Sequence, residues 1–231
     1  DGSGTWLNRE ADLALGHQRL AVIDLSPAGY QPMASPCNRY ILVYNGEIYN
    51  HQDLRRELEV EGGAFHWCGH SDTETLLAGL RHWGVEGCLR KLNGMFAFAL
   101  WDTQEERLFL ARDRMGEKPL YYGRTGGVFL FGSELKAMTV HPAWQGAVDR
   151  DALALYMRYN YVPVPWSIYQ GIVKLPAAHY VVIGEGGGAI GEPQCYWDLG
   201  AVAEEGAAKA AGDSAELTEQ LDQLLRDSVS R

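Results

Sequence analysis

The chain has 231 residues, 46% of them hydrophobic, enough for one sizeable core and a short piece of a second domain. Twenty basic residues against 30 acidic ones leave a net charge of -10, which argues against nucleic acid as a partner because phosphate backbones are bound by clustered positive charge. No apolar run approaches the roughly 20 residues of a membrane span, so no membrane partner is expected. The four cysteines, Cys37, Cys68, Cys88 and Cys195, contain no Cys-x-x-Cys pair, so zinc and dithiol chemistry are unsupported and a reduced, cytoplasmic setting is expected. The opening Asp1-Gly2-Ser3-Gly4 has neither an initiator Met nor a signal-peptide pattern and reads as an internal point of a longer protein.

In chain order, residues 18–24 read as a strand. Residues 39–44 read as another, ending at Asn45-Gly46. Asn50 precedes a helical pattern with Leu54 and Leu58 one turn apart. Ser71-Asp72-Thr73-Glu74 fits a capping box and opens a helix carrying Leu76, Leu77 and Leu80, ended by Gly84, with a shorter helical piece to Leu92. Residues 95–101 are continuously apolar, which predicts a strand covered on both faces. A turn at 102–105 returns the chain as a hairpin through Leu108-Phe109-Leu110. Further strands are predicted at 120–123, 128–132 and 180–183, and a helix at 151–159. Short strands joined by tight turns and a few helices favour an α+β architecture of antiparallel sheets. Toward the end, residues 184–191 read as a Gly-rich loop and 200–212 as a linker. From Glu216 a helix carries Leu217, Leu221, Leu224 and Leu225 on one stripe, which needs a partner and reads as the start of a second domain.

Several residues could carry chemistry, each with a plainer alternative. Arg19 is either a surface arginine at a strand end or a guanidinium fork that holds a carboxylate. Asn45-Gly46 is either a type I′ turn or a pair of amide donors aimed at one oxygen, as in an oxyanion hole. Asp72 either complements the helix dipole or pairs with a ligand ammonium. Glu47 is most simply solvent-facing after the turn. His17, His66 and His70 show no metal-ligand spacing, and structural or surface roles are simpler for them. Neither a Gly-x-Ser-x-Gly elbow nor a Walker-type phosphate loop is present, and the tract near Gly186 lacks the lysine and helix that such a loop needs.

The order of the blocks says more than any one of them. GHQRLAVIDLSPAGYQPM, VYNGEIYNH, SDTETLL, LNGMFAFALWD, ARDRMGEKPLYY, FGSELKA and then YVPVPWSIYQGIVKLPAAHYV follow one another in a sequence that resembles the glutamine-dependent asparagine synthetases. The resemblance implies a class II glutamine amidotransferase domain over residues 1–198. It also implies a linker at 199–213 and the start of a synthetase domain at 214–231. The implied fold is the N-terminal-nucleophile hydrolase type, a four-layer αββα sandwich of antiparallel sheets.

The same resemblance implies roles for single residues. Arg19 would hold the α-carboxylate of glutamine and Asp72 its α-ammonium. Asn45 and Gly46 would form the oxyanion hole, and backbone at Ile23 and Glu47 would complete the pocket. The family's nucleophile is an N-terminal cysteine opening Cys-Gly-Ile, which lies upstream of Asp1, and none of the four cysteines present matches it. This chain alone is therefore expected to be inactive. In the family, ammonia passes to a C-terminal synthetase domain that uses ATP and Mg2+ to activate aspartate. No cofactor is expected within these residues themselves. Members are often homodimers. Glutaminase domains with another acceptor, such as those of β-lactam synthetases or sugar-modifying amidotransferases, remain an alternative, as does a non-catalytic glutamine-binding or docking module.

Overall fold

The computed structural model describes residues 2–20, 22–62, 65–184, 187–209 and 213–230. The chain divides into two compact units, one ending at Trp197 and the other beginning at Asp198.

The first unit opens with a hairpin. Strand β1 (Gly2–Asn8) pairs antiparallel with β2 (Leu13–Arg19), and Asn8 closes the turn by accepting from the amides of Glu10 and Ala11 at 3.0 and 3.1 Å. The sequence gives little sign of β1, because glycine at positions 2 and 4 is a poor strand former. The strand expected at 18–24 instead ends at Arg19, and Leu20, Val22 and Leu25 of its apolar run stand exposed. Ala21 lies outside the described residues. The cause is local: the Arg19 guanidinium turns back and donates to the carbonyls of Asp24 and Ser26, which holds residues 24–26 against Arg19.

A six-stranded antiparallel sheet forms the centre of this unit, in the order β11-β10-β6-β5-β4-β3. Its strands are β3 (Met33–Ala34), β4 (Tyr40–Ile48), β5 (Gly94–Asp102), β6 (Arg107–Arg112), β10 (His179–Ile183) and β11 (Gln194–Cys195). As its apolar run requires, β5 is buried on both faces. Phe96, Phe98 and Leu100 join Leu42, Tyr44 and Ile48 against helices α1 (His51–Gly62) and α2 (Asp72–Lys91). Ala97, Ala99 and Trp101 face the other way, into a core with Leu15 of the hairpin and with Leu120, Tyr122 and Leu175. That second core is roofed by a three-stranded sheet of β7 (Tyr121–Thr125), β8 (Val128–Gly132) and β9 (Ile172–Lys174), with Phe129 and Phe131 packed against it. Each large side chain taken fully out of water here contributes about 1.5–3 kcal/mol. Helix α3 (Leu135–Thr139) follows β8 and buries Met138, and α4 (Arg150–Tyr159) is capped by Asp149, whose Oδ1 accepts from Asp151 and Ala152 at 2.9 and 3.0 Å.

Two local expectations change. Asn45-Gly46 is not a turn: β4 runs through it to Ile48, paired with β5 along nine residues from Tyr40 opposite Asp102 to Ile48 opposite Gly94. Burying Ile48 and completing that ladder outweighs the turn preference of the dipeptide. The capping box is half formed. Ser71 Oγ accepts from the Glu74 amide at 3.2 Å, but the Glu74 carboxylate takes the amides of Cys68 and Gly69, at 2.7 and 3.1 Å. Gly84, with φ of 71°, kinks α2 where the sequence placed the helix end.

The second unit consists of α5 (Leu199–Lys209) and α6 (Ser214–Ser230). The stretch read as a linker is thus helical as far as Lys209, and residues 210–212 lie outside the described residues. Ala201, Ala203, Ala207 and Ala208 favour helix, and Asp198 Oδ1 accepts from the Ala201 amide at 2.7 Å. Together these outweigh Gly200 and Gly206, which cost roughly 1 kcal/mol each. Leu217, Leu221, Leu224 and Leu225 stand exposed on α6. In the Gly-rich loop, residues 185 and 186 lie outside the described residues, so the Gly186 reading does too.

Candidate functional site

A cleft of about 290 Å³ opens between the loop after β2, the second half of β4 and the first turn of α2. Arg19, Ile23, Asn45, Gly46, Glu47 and Asp72 all line it. They meet because β4 continues past the dipeptide, carrying Asn45, Gly46 and Glu47 alongside the α2 N-terminus.

Arg19 ends β2. Nη1 donates to the Ser26 carbonyl at 3.0 Å, Nη2 donates to the Asp24 carbonyl, and the Tyr30 ring centroid lies 5.2 Å from Cζ. A guanidinium has five N–H donors, more than two carbonyls take up. Gly29 makes room for it, since a Cβ there would sit 2.3 Å from Nη2. The loop that holds Arg19 is itself tied down by Asp24. Its buried carboxylate accepts from the Ser26 and His70 amides, each at 2.8 Å. Hydrogen bonds, first from Ser26 and then from His70, hold its pKa down to about 2.

Asp72 is the first residue of α2 and is buried. It accepts from Tyr44 Oη at 2.6 Å and from the amides of Ile48 and Thr73, both at 2.9 Å. Burial, and then the Asp72 charge, push the Tyr44 phenol well up, so it stays protonated and donating. Gln31 fixes the same corner: its Oε1 accepts from the Tyr44 amide at 2.6 Å and its Nε2 donates to Thr73 Oγ1 at 3.4 Å.

The backbone of β4 supplies the next feature. The Tyr44 and Ile48 amides point away from β5, toward Gln31 and Asp72. Strand alternation gives Gly46, midway between them, the same direction, so its amide faces the cleft that Gly46 lines. Asn45 Nδ2 donates to Ser133 Oγ at 3.0 Å, which fixes the side-chain amide while its second hydrogen remains. Glu47 and Ile23 complete the wall, and Ile23 is 36% exposed at the rim.

Three further residues line the cleft, of which Met95 and Lys118 escaped the sequence reading and His17 was read there only as structural or surface. His17 Nε2 lies 3.0 Å from the Tyr44 carbonyl, which can only accept, so Nε2 carries the proton. Nδ1 is then a bare acceptor, buried and without a partner among the described residues. Burial lowers the pKa of this ring, which keeps it neutral. Met95 and Lys118 line the cleft as well. Lys118 is placed by its own backbone: its amide donates to Asp113 Oδ2 at 2.9 Å and its carbonyl accepts from Arg112 Nε at 2.7 Å. The Asp-to-Gly spacing of Asp113 and Gly116 was a turn signal that could have found it. None of the four cysteines lines the cleft: Cys37, Cys68 and Cys195 are exposed elsewhere and Cys88 is buried in the helix-side core. Chemically, the cleft offers a cation to an anionic group, a carboxylate to an ammonium, and amide donors to an oxygen between them. Among the described residues, no group of three or more His, Cys, Asp or Glu is placed to hold a metal ion.

Comparison with known proteins identifies the family of this chain. A family model described as a glutamine amidotransferase domain matches residues 1–197. Asparagine synthetase [glutamine-hydrolyzing] 3 of Bacillus subtilis is 41% identical over 202 residues, covering 86% of this chain and 31% of that protein. A putative asparagine synthetase [glutamine-hydrolyzing] 2 of Methanocaldococcus jannaschii is 34% identical over 235 residues, covering 94% of this chain and 43% of the other. The chain thus spans less than half the length of these relatives. Among solved structures, glutamine phosphoribosylpyrophosphate amidotransferase from B. subtilis superposes with a TM-score of 0.56 at 22% identity, covering 80% of this chain and 35% of that one. That likeness shows the fold: the stacked antiparallel sheets and their helices form an N-terminal-nucleophile hydrolase sandwich.

Proposed function

Because the chain belongs to the glutamine amidotransferase domain family, we propose that its cleft is a glutamine pocket. The observation that carries this reading is the convergence of Arg19, Asn45, Gly46 and Asp72 on one small cavity. Arg19 takes the α-carboxylate and Asp72 the α-ammonium, so each desolvated charge of the zwitterion meets an opposite partner. The side-chain amide then reaches the Gly46 N–H and the Asn45 amide, which stabilise negative charge on its oxygen as the carbon is attacked. The attacking group is a cysteine of the parent protein, whose thiol proton passes to the departing nitrogen. Ammonia leaves, and water hydrolyses the thioester to glutamate.

We place the domain in a glutamine-hydrolysing asparagine synthetase on the strength of its bacterial and archaeal relatives. Ammonia released in the cleft would pass to a synthetase domain of that parent, where ATP and Mg2+ activate aspartate. Two relatives are named differently: amidase chry2 of Gibberella zeae, at 33% identity over 86% of this chain, and amidase chyE of Penicillium rubens, at 34% over 81%. Because those names specify no asparagine synthesis, a second reading keeps the glutaminase and leaves the acceptor as something other than aspartate. The 231-residue chain itself binds glutamine without turnover, because no cysteine lines the cleft. Glutamate release by the purified chain above a no-enzyme control would overturn that statement.

The pocket is tested by nuclear magnetic resonance of the labelled chain. L-glutamine should shift the Gly46 backbone amide and the Asn45 side-chain amide, and D-glutamine at equal concentration should not. No shift with either enantiomer, or equal shifts with both, would remove the assignment.

A further inference from the structure

A second cleft, also about 290 Å³, lies beside the first and shares none of its lining residues. It sits between β3, the segment at 65–68 and the outer side of α2. Its size is near the lower end of the roughly 300–1,000 Å³ of ligand pockets. Its walls are mostly apolar, and the aromatic wall is assembled in advance. Phe65 stacks on Trp67 at 5.3 Å and 15°, and the Arg55 guanidinium lies 4.2 Å from the Trp67 ring centroid. The indole nitrogen of Trp67 donates to Glu59 at 2.7 Å, which anchors the wall to α1. Such a cavity needs little rearrangement to accept a guest.

Its two charged lining groups differ. Glu74 is saturated: its carboxylate accepts from Arg55, from the Cys68 amide and from the Gly69 amide. Arg81 also lines the cleft and is exposed; its charge acts on the Cys37 thiol, but it makes no hydrogen bond or ion pair with another described residue. The cleft therefore presents an apolar cavity with one unspent positive charge, and the complementary guest is an apolar body carrying one anionic group.

We propose that this second cleft binds a small hydrophobic carboxylate, its body against Phe65, Met33 and Leu77 and its carboxylate on Arg81. The claim is separate from the glutamine reading and uses none of the residues assigned to it. Cys68, exposed and lining the cleft, serves as a reporter.

The test uses the full chain carrying Cys37→Ser and Cys195→Ser, which leaves Cys68 as the exposed thiol beside buried Cys88. The rate of Cys68 alkylation by iodoacetamide is followed by mass spectrometry with 3-phenylpropionate or its uncharged analogue 3-phenylpropanamide. The carboxylate should slow alkylation saturably. The amide should need a roughly fivefold higher concentration, the worth of one exposed charge pair. Arg81→Gln, a change at an exposed position that leaves packing intact, should erase the difference between the two compounds. Ala78→Phe, which fills the cavity, should remove protection by both. An unchanged rate in the starting protein, protection that does not saturate, or equal protection by acid and amide would overturn the proposal. A preference for the acid that survives Arg81→Gln would also overturn it, and that arm stands even if Ala78→Phe fails to fold. No arm uses glutamine, so failure here leaves the glutamine pocket untouched.

Discussion

Gly46 has no room for a side chain. A Cβ there would lie 2.2 Å from the Met95 carbonyl oxygen and 2.7 Å from the Phe96 Cα, both backbone atoms of β5 that cannot yield without breaking the ladder. Gly46→Ala should therefore cost about 1–3 kcal/mol in urea unfolding. A change below about 0.5 kcal/mol, the range of ordinary surface substitutions, would contradict the close approach. Asp113 makes the complementary case. It is fully buried, and its two oxygens accept from the amides of Phe96, Met115, Glu117 and Lys118 at 2.9–3.1 Å. Asp113→Ala leaves these donors without their acceptor and should cost roughly 3 kcal/mol or more, a loss the same urea experiment reads. At this scale the sequence was uneven. Arg19, Asn45, Gly46 and Asp72 were legible because their blocks follow a known order. Gln31 was not, because its partners Tyr44 and Thr73 are distant in the chain, and Asp113 showed only as a turn residue, because the Phe96 amide that completes its set comes from another strand.

The loop at 22–31 and the segment at 65–71 form one element-scale device, with Asp24 as the clasp between them. A Cβ on Gly69 would meet Asp24 Oδ2 at 2.4 Å, so the two segments are in close contact. Because its pKa falls from the ordinary 3.8 to about 2 in the folded chain, the unfolded state binds the proton more readily. Its stabilisation is complete above about pH 4 and is lost as pH drops toward 2. Thermal melts across that window should show a flatter acid slope for Asp24→Asn than for the parent sequence, and identical slopes would contradict the clasp. The elements themselves were read well where apolar periodicity was strong, as in β5 with its two buried faces. They were misread where a side chain captured the backbone. Arg19 seizes the carbonyls of Asp24 and Ser26 and ends a strand whose apolar run continues, and the β5 ladder carries β4 through an Asn-Gly that alone favours a turn.

For the molecule as a whole, the α+β class followed from short strands and tight turns, and its layers stand as two cores on the two faces of one sheet. The helix of the second unit at Leu199–Lys209 was hidden by its glycines, which outweighed its alanines in a reading by composition. Ligand binding must register in global stability. A glutamine pocket filled at a hundredfold excess over its dissociation constant adds about 2.7 kcal/mol to the folded state. L-glutamine should then raise the melting temperature of the chain, and asparagine, one methylene short of the amide donors, should raise it less. Equal shifts would argue against the Gly46 and Asn45 contact. The most direct test of the pocket is calorimetric titration of L-glutamine into the folded chain and into its Arg19→Ala variant, with folding of both checked by circular dichroism. A saturable heat that Arg19→Ala weakens by about tenfold or more, the worth of a charge-assisted bond in a partly buried site, is the result predicted here. Identical titrations before and after the substitution would contradict it.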